Sequence, residues 1–139
     1  MSRNNAEWVR CYYDAWNRRD WEWVAAMMAP GVQWFNAARG EHVRGVDDVV
    51  AMLRGAADAF PQAFIRVRHV HDAGESIVSE AGFVQEARML GKGAPAMTVR
   101  EATFCEVIEL DKGRCARGST YADTLRILMD MMLGDAVAA

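Results

Sequence analysis

Apolar residues recur along this chain with two different periods, and the change between them divides it. Near the start, Val9, Tyr12, Tyr13 and Trp16 fall at i, i+3, i+4 and i+7, one broad helical face. Asn4 or Asn5 can cap this helix, which is expected to run to about Arg18. Asp20 can cap a short second helix with Trp21, Val24, Ala25 and Met28 at the same spacing, and Pro30-Gly31 would end it. Val32 to Ala37 reads as a short strand, with Trp34 and Asn36 on one face and Gln33 and Phe35 on the other. Ala38 to Gly45 reads as a loop. Asp47 and Asp48 open a third helix, where two carboxylates suit the helix dipole. Its buried stripe would be Val49, Met52, Leu53, Ala56 and Phe60, and Pro61 stops it.

From there the period falls to two. Ala63 to Asp72 and Ser76 to Met89 read as long strands joined at Ala73-Gly74, and the loop Gly91 to Pro95 leads into a hairpin. Its arms lie within Arg100 to Asp123 and fold back at Asp111-Lys112-Gly113, a three-residue loop whose Gly tolerates positive φ. If Leu110 pairs with Arg114, Glu106 faces Gly118 and Phe104 faces Thr120. One face then carries Phe104, Glu106, Ile108, Ala116, Gly118 and Thr120, with a carboxylate among small and apolar groups. A last helix follows from Thr124, with Leu125, Leu128, Met129 and Met132 as its face. It reads as packing, or as a partner interface if the monomer leaves that face uncovered.

Helices followed by a meander of long strands predict an α+β domain with a largely antiparallel sheet. Twisted under helices on one side, such a sheet curls into a half-barrel whose mouth is a natural small-molecule pocket. The length of 139 residues suits a single domain spanning 1–139. With 25% charged residues, a net charge of −3 and no basic run interleaved with aromatics, a nucleic-acid surface is not indicated. Cys11, Cys105 and Cys115 lack CxxC spacing, and in the register above Cys105 opposes Ser119 and Cys115 opposes Glu109. Neither a disulfide framework nor a zinc site is expected, and a reducing cytoplasm fits. The segment MSRNNAEWVR lacks a signal-peptide apolar stretch, and no apolar run approaches a membrane span.

The segments YYDAWNRRDWEWVAAMMAPGVQW, VRGVDDVVAMLRGAADAFP, HVHDAGESIV and VIELDKGRCARGSTYADTL together resemble the nuclear transport factor 2-like superfamily, and more closely its SnoaL-like polyketide cyclase and ketosteroid isomerase branches. The resemblance implies a cone-shaped half-barrel: a curved, mostly antiparallel sheet with three N-terminal helices packed on it and a C-terminal helix. It also implies a cone-shaped pocket, a hydrophobic one on this chain's residues, often in a homodimer, and no cofactor; His69 and His71 with Glu80 or Glu86 nearby offer no third ligand at motif spacing, so no metal is expected. By position, Tyr12 matches the helical tyrosine that donates to an oxyanion, and Glu106 the strand acid that shares that task. Asn36 stands where the isomerases keep a general-base aspartate, and an amide cannot abstract a proton at neutral pH. The hydrolase branch expects Arg-x-Asp where this chain has Ala81-Gly82-Phe83, and an acid where Thr120 stands.

Each candidate has a functional and a structural reading. Glu106, desolvated on an inner strand, would have a raised pKa suited to acid/base work; facing outward it would be an ordinary solvated acid. Tyr12 is an oxyanion donor or a core tyrosine. Asn36 orients a carbonyl or hydroxyl, or satisfies a nearby loop. Trp34, Phe83 and Phe104 would wall the pocket, with Thr120 and His71 positioning the substrate. His69 and His71 continue the parity of Ile65 and Val67, which brings one of them inward unless a bulge intervenes, whereas His42 reads as surface. Asp123 is read as a helix cap before it is read as a pocket acid. Arg100 and Glu101 read as rim or surface charges. The expected function is cofactor-free proton transfer next to a carbonyl (isomerisation, aldol-type cyclisation or dehydration) on a hydrophobic oxygenated small molecule. The alternative is a non-catalytic ligand-binding or interaction module on the same fold.

Overall fold

The computed structural model describes residues 2–88 and 97–122. Helix α1 (Ser2–Arg18) begins earlier than its Asn4 or Asn5 cap would place it, and it ends where Arg19 turns to φ 58°. The Asp20 side chain accepts from the Trp23 amide at 3.1 Å and starts α2 (Trp21–Ala26). Strand β1 (Met28–Asn36) therefore begins four residues before the expected Val32. Pro30 and Gly31 lie inside it rather than after a helix. Its pairing is irregular between Met28 and Gln33, the kind of site where a strand tolerates proline. The expected loop after it contains β2 (Glu41–Arg44), paired antiparallel with β1. Gly45, at φ 93°, precedes α3 (Val46–Ala59), whose buried residues are Val49, Leu53 and Ala57.

Four long strands follow: β3 (Phe64–Asp72), β4 (Ile77–Arg88), β5 (Met97–Asp111) and β6 (Arg114–Ala122). They join β1 and β2 in one six-stranded open sheet of order β2-β1-β6-β5-β4-β3. All neighbours are antiparallel except β1 and β6. The result is the α+β architecture expected, a curved mixed sheet with helices packed against it. The predicted C-terminal helix, the 91–95 loop and Asp123 lie outside the described residues. Among the described residues no helix is long and apolar enough to cross a membrane.

Aromatics dominate the core between α1 and the sheet. Trp8, Tyr12, Tyr13, Trp16 and Trp34 are buried there with Val9, Val24, Val32 and Ile108. Tyr12 stacks on Trp8 with ring centroids 5.5 Å apart and tilts against Trp34 at 6.0 Å. Asn17 pins α1 to the edge strand β3, donating to the Ile65 carbonyl at 2.9 Å and accepting from the Ile65 amide at 2.6 Å.

The β5–β6 hairpin departs from its expected form at two points that compensate. The turn has two residues, not three: Asp111 pairs with Arg114, and Lys112 (φ 52°) and Gly113 (φ 80°) carry the positive dihedrals of a type I′ turn. A bulge then separates the Leu110–Cys115 pair from the Glu109–Arg117 pair. Glu106 consequently faces Thr120 rather than Gly118, and Phe104 faces Ala122 rather than Thr120. The pairing moves by two residues, so the faces are conserved, except that buried Cys115 takes the inward place expected of Ala116. Cys105 pairs with Tyr121 and Cys115 with Leu110, and all three cysteines are free.

Candidate functional site

Under α3, between α1 and the inner face of the sheet, lies a cavity of about 780 Å³. Its wall is mostly apolar. Trp16 comes from α1, Met52, Ala56 and Ala59 from α3, Phe60 from the turn after it, Ile65 from β3, Phe83 from β4, and Ala102 and Phe104 from β5. Small residues on α3 leave the volume open where larger ones would close it. Polar groups gather toward one side: Tyr12, Asn36, Glu106 and Thr120, with Arg39 and Glu41.

Glu106 is only 4% exposed. Strand pleating turns it inward with Phe104 and Ile108. Its oxygens are held by two arms. Tyr13 donates its hydroxyl to Oε1 at 2.8 Å, and Thr120 donates to Oε2 at 2.6 Å. Behind Thr120, the Trp34 indole N–H donates to the threonine oxygen at 2.8 Å. Behind Tyr13, the buried Ser79 hydroxyl lies 2.5 Å from the tyrosine oxygen. Trp34 reaches this position because β6 has no side chain beneath it: a Cβ on Gly118 would stand 2.4 Å from the Trp34 ring.

Burial raises the Glu106 pKa to about 7, although the Thr120 and Tyr13 hydrogen bonds pull it down. The cost of desolvating a carboxylate exceeds what two donors return. Burial, and then the neighbouring Glu106, hold the Tyr12 and Tyr13 hydroxyls well above the usual phenol range, so both keep their protons. Burial pushes the Cys115 thiol up to about 12. The arrangement sets a carboxyl poised near neutrality beside permanently protonated phenols, at the edge of an apolar chamber.

Six of the eight residues singled out in the sequence line this cavity: Glu106, Tyr12, Asn36, Thr120, Phe83 and Phe104. Trp34 does not line it. It is buried behind the wall and acts on Thr120. His71 is placed outside. The β3–β4 register shifts between Val67 and His69, which reverses the parity of the strand and turns His69 and His71 outward with Glu80. His71 is exposed, 4.0 Å from the Glu80 carboxylate. Glu101 also faces outward, lying over Gly82 and bridging Arg66 at 2.5 Å and Arg68 at 3.0 Å. The Asn36 Oδ1 is buried and without a hydrogen-bond partner among the described residues. No group of three metal-ligating side chains is found among the described residues.

Two residues escaped the sequence reading. Tyr13, not Tyr12, binds Glu106, and Ser79 sits behind it. Both tyrosines fall on the apolar face of α1, so periodicity does not separate them. Ser79 pairs with Glu106 across β4 and β5, a register that no local motif announces.

Solved structures with this architecture are numerous. A candidate SnoaL-like polyketide cyclase from Jannaschia sp. CCS1 superposes with a TM-score of 0.74 at 18% identity, over 100% of this chain and 94% of that one. IdmH, a candidate polyketide cyclase from Streptomyces antibioticus, gives 0.76 at 15% identity over 92% and 98%. An NTF2-like protein of unknown function from Burkholderia pseudomallei gives 0.74 at 25% identity over 93% and 97%. No curated protein matches the chain. These likenesses speak for the fold, the NTF2-like cone. The sequence model of the SnoaL-like domain matches residues 9–118, which is most of the chain, and the protein belongs to that family.

Proposed function

We propose that the protein is a cofactor-free catalyst of proton transfer next to a carbonyl in a hydrophobic, oxygenated small molecule. One observation supports this above the others: a carboxyl with a pKa near 7 lines a mostly apolar cavity. A group poised near the working pH is well matched to general base and then general acid duty. In this reading Glu106 removes a proton from the carbon beside the substrate carbonyl. It returns that proton elsewhere on the molecule, which gives isomerisation, ring closure or loss of water. Tyr12 lines the same cavity with its proton retained, so it is suited to donate to the developing oxyanion. Asn36 orients the oxygenated end, and Phe83 and Phe104 pack against the carbon skeleton.

The test is deuterium exchange of α-protons in D2O, followed by NMR on a panel of bicyclic ketones and 1,3-diketones such as 2-tetralone. Exchange faster than buffer, rising with pH through about 7, and falling about a hundred- to ten-thousand-fold in Glu106→Gln supports the proposal. Exchange unchanged in that variant removes Glu106 from the chemistry. Asn36, in the place where a base aspartate would stand, favours a second reading as a non-catalytic binder. Tight binding of the panel with no exchange, and no pH dependence between about 5 and 8, would establish it.

A further inference from the structure

The register of the sheet sets a line of polar side chains across its inner face. Glu41 on β2 pairs with Asn36 on β1, Asn36 with Thr120 on β6, Thr120 with Glu106 on β5, and Glu106 with Ser79 on β4. Cross-strand partners share a face, so these five side chains form one rung running across the strands. The rungs beside it are apolar. Trp34, Ile108 and Ile77 stand on one side of it, Phe104 and Ala81 on the other.

The rung is satisfied at one end only. Ser79, Glu106 and Thr120 are hydrogen-bonded through Tyr13 and Trp34. At the other end, Asn36 and Glu41 line the cavity. The Asn36 Oδ1 is buried with no partner among the described residues, and Glu41 makes no ion pair among them. Arg39, in the turn between β1 and β2, lines this end too and likewise makes no ion pair among the described residues. An unpaired buried acceptor is destabilising, and a ligand that donates to it removes that penalty. The last torsion of an asparagine side chain is soft, so the amide can turn its oxygen toward an incoming group.

We infer that this end of the rung is a subsite for a hydroxyl group of the substrate, remote from the reacting carbonyl. The Asn36 Oδ1 and the Glu41 carboxylate only accept, and the Arg39 guanidinium only donates. A ketone or ether oxygen would leave both acceptors unpaired, and an ammonium group would lie against the Arg39 cation. A hydroxyl donates to one side and accepts from the other. Neighbouring strands lie about 4.8 Å apart, so Asn36 and Glu41 stand about 10 and 14 Å from Glu106 along the rung. The substrate class is therefore an elongated hydroxyketone, with an apolar skeleton between the carbon that Glu106 addresses and a hydroxyl held where β1 meets β2. The inference deepens the proposed function and rests on it for the end at which the carbonyl is bound.

The test is isothermal titration calorimetry with 6-hydroxy-2-tetralone, its methyl ether and 2-tetralone, repeated with the linear three-ring homologues so that ligand length does not decide the outcome. The parent should bind the hydroxyketone about ten- to a hundredfold more tightly than the ether at one of the two lengths. Asn36→Leu and Glu41→Leu should each bring that preference toward unity and leave the ketone without a hydroxyl bound as in the parent. Asn36→Asp keeps an acceptor and should keep the preference. A merely structural role would weaken all three ligands together. Glu41 is half-buried on an edge strand, so its replacement keeps the test available should Asn36→Leu fail to fold. Equal binding of hydroxyketone and ether at both lengths, or a preference that survives both leucine variants, would overturn the inference. Glu106→Gln should retain the preference, so a failure of the acid/base reading in the exchange assay is distinguishable from a failure of this subsite.

Discussion

Replacing Glu106 by Gln is expected to make the protein more stable at neutral pH, and the size of the gain follows from the cavity that surrounds the carboxyl. An ordinary glutamate titrates near 4.5, whereas this one is raised to about 7. Between those values the folded chain holds a proton that the unfolded chain has released. Unfolding then gives up a proton, so stability falls as pH rises, by about 1.36 kcal/mol per pH unit. The contribution is fully present below about 4.5 and is lost as pH passes through about 7, a total of about 3 kcal/mol. A glutamine is neutral throughout. Its carbonyl can accept from Thr120 and its amide can donate to the Tyr13 oxygen. Urea unfolding of the two proteins at a series of pH values, read by tryptophan fluorescence, isolates the effect, because every other titrating group cancels in the difference. The difference curve should be near zero below pH 4.5, climb between 4.5 and 7, and level off at about 3 kcal/mol in favour of the variant. A flat difference, or one favouring the parent at pH 8, would refute the claim that this carboxyl is desolvated.

Two further perturbations probe the scaffold that places it. Gly118→Ala sets a methyl 2.4 Å from the Trp34 ring, a clash with a fully buried side chain, and should cost about 1–3 kcal/mol in denaturant unfolding. Asn17→Ala leaves the edge-facing amide and carbonyl of Ile65 without their partners and unties α1 from β3. It should cost about 1–3 kcal/mol, with faster hydrogen exchange at the Ile65 amide as the local signature.

How far the sequence foretold this site depends on the kind of information each residue needed. The inward direction of Glu106 and Thr120 was legible because it depends only on period two within β5 and β6. It survived an error of two residues in their pairing, since the shorter turn and the bulge after Cys115 together preserve parity. His71 was misplaced for the converse reason. One extra residue between Val67 and His69 inverts every side chain beyond it, and nothing in RVRHVH marks the site. The early start of β1 was hidden by Pro30-Gly31, which normally ends an element. Here the strand begins because the Cys115 amide reaches the Met27 carbonyl at 2.8 Å, a long-range contact without a local signal. The second helix, the third helix and the four long strands were legible because their patterns are local.

The division of labour between Tyr12 and Tyr13 lies beyond pattern reading altogether, and it yields the most discriminating experiment. Adjacent residues on a helix point about 100° apart, so one tyrosine cannot take the other's place. Tyr12 stacks on Trp8, tilts against Trp34 and lines the cavity, whereas Tyr13 reaches past it to Glu106 and Ser79. If Tyr12 is the oxyanion donor, Tyr12→Phe should slow α-proton exchange by about a hundred- to a thousand-fold and leave the Glu106 titration midpoint where it was. If Tyr13 serves Glu106 alone, Tyr13→Phe should displace that midpoint, and its exchange rate should recover toward the parent's at the pH where its own Glu106 is ionised. A family position read by sequence alone gives Tyr12 the oxyanion and names no partner for Glu106. The geometry gives Glu106 to Tyr13, and equal displacement of the midpoint by both variants would show that the two tyrosines share the carboxyl after all.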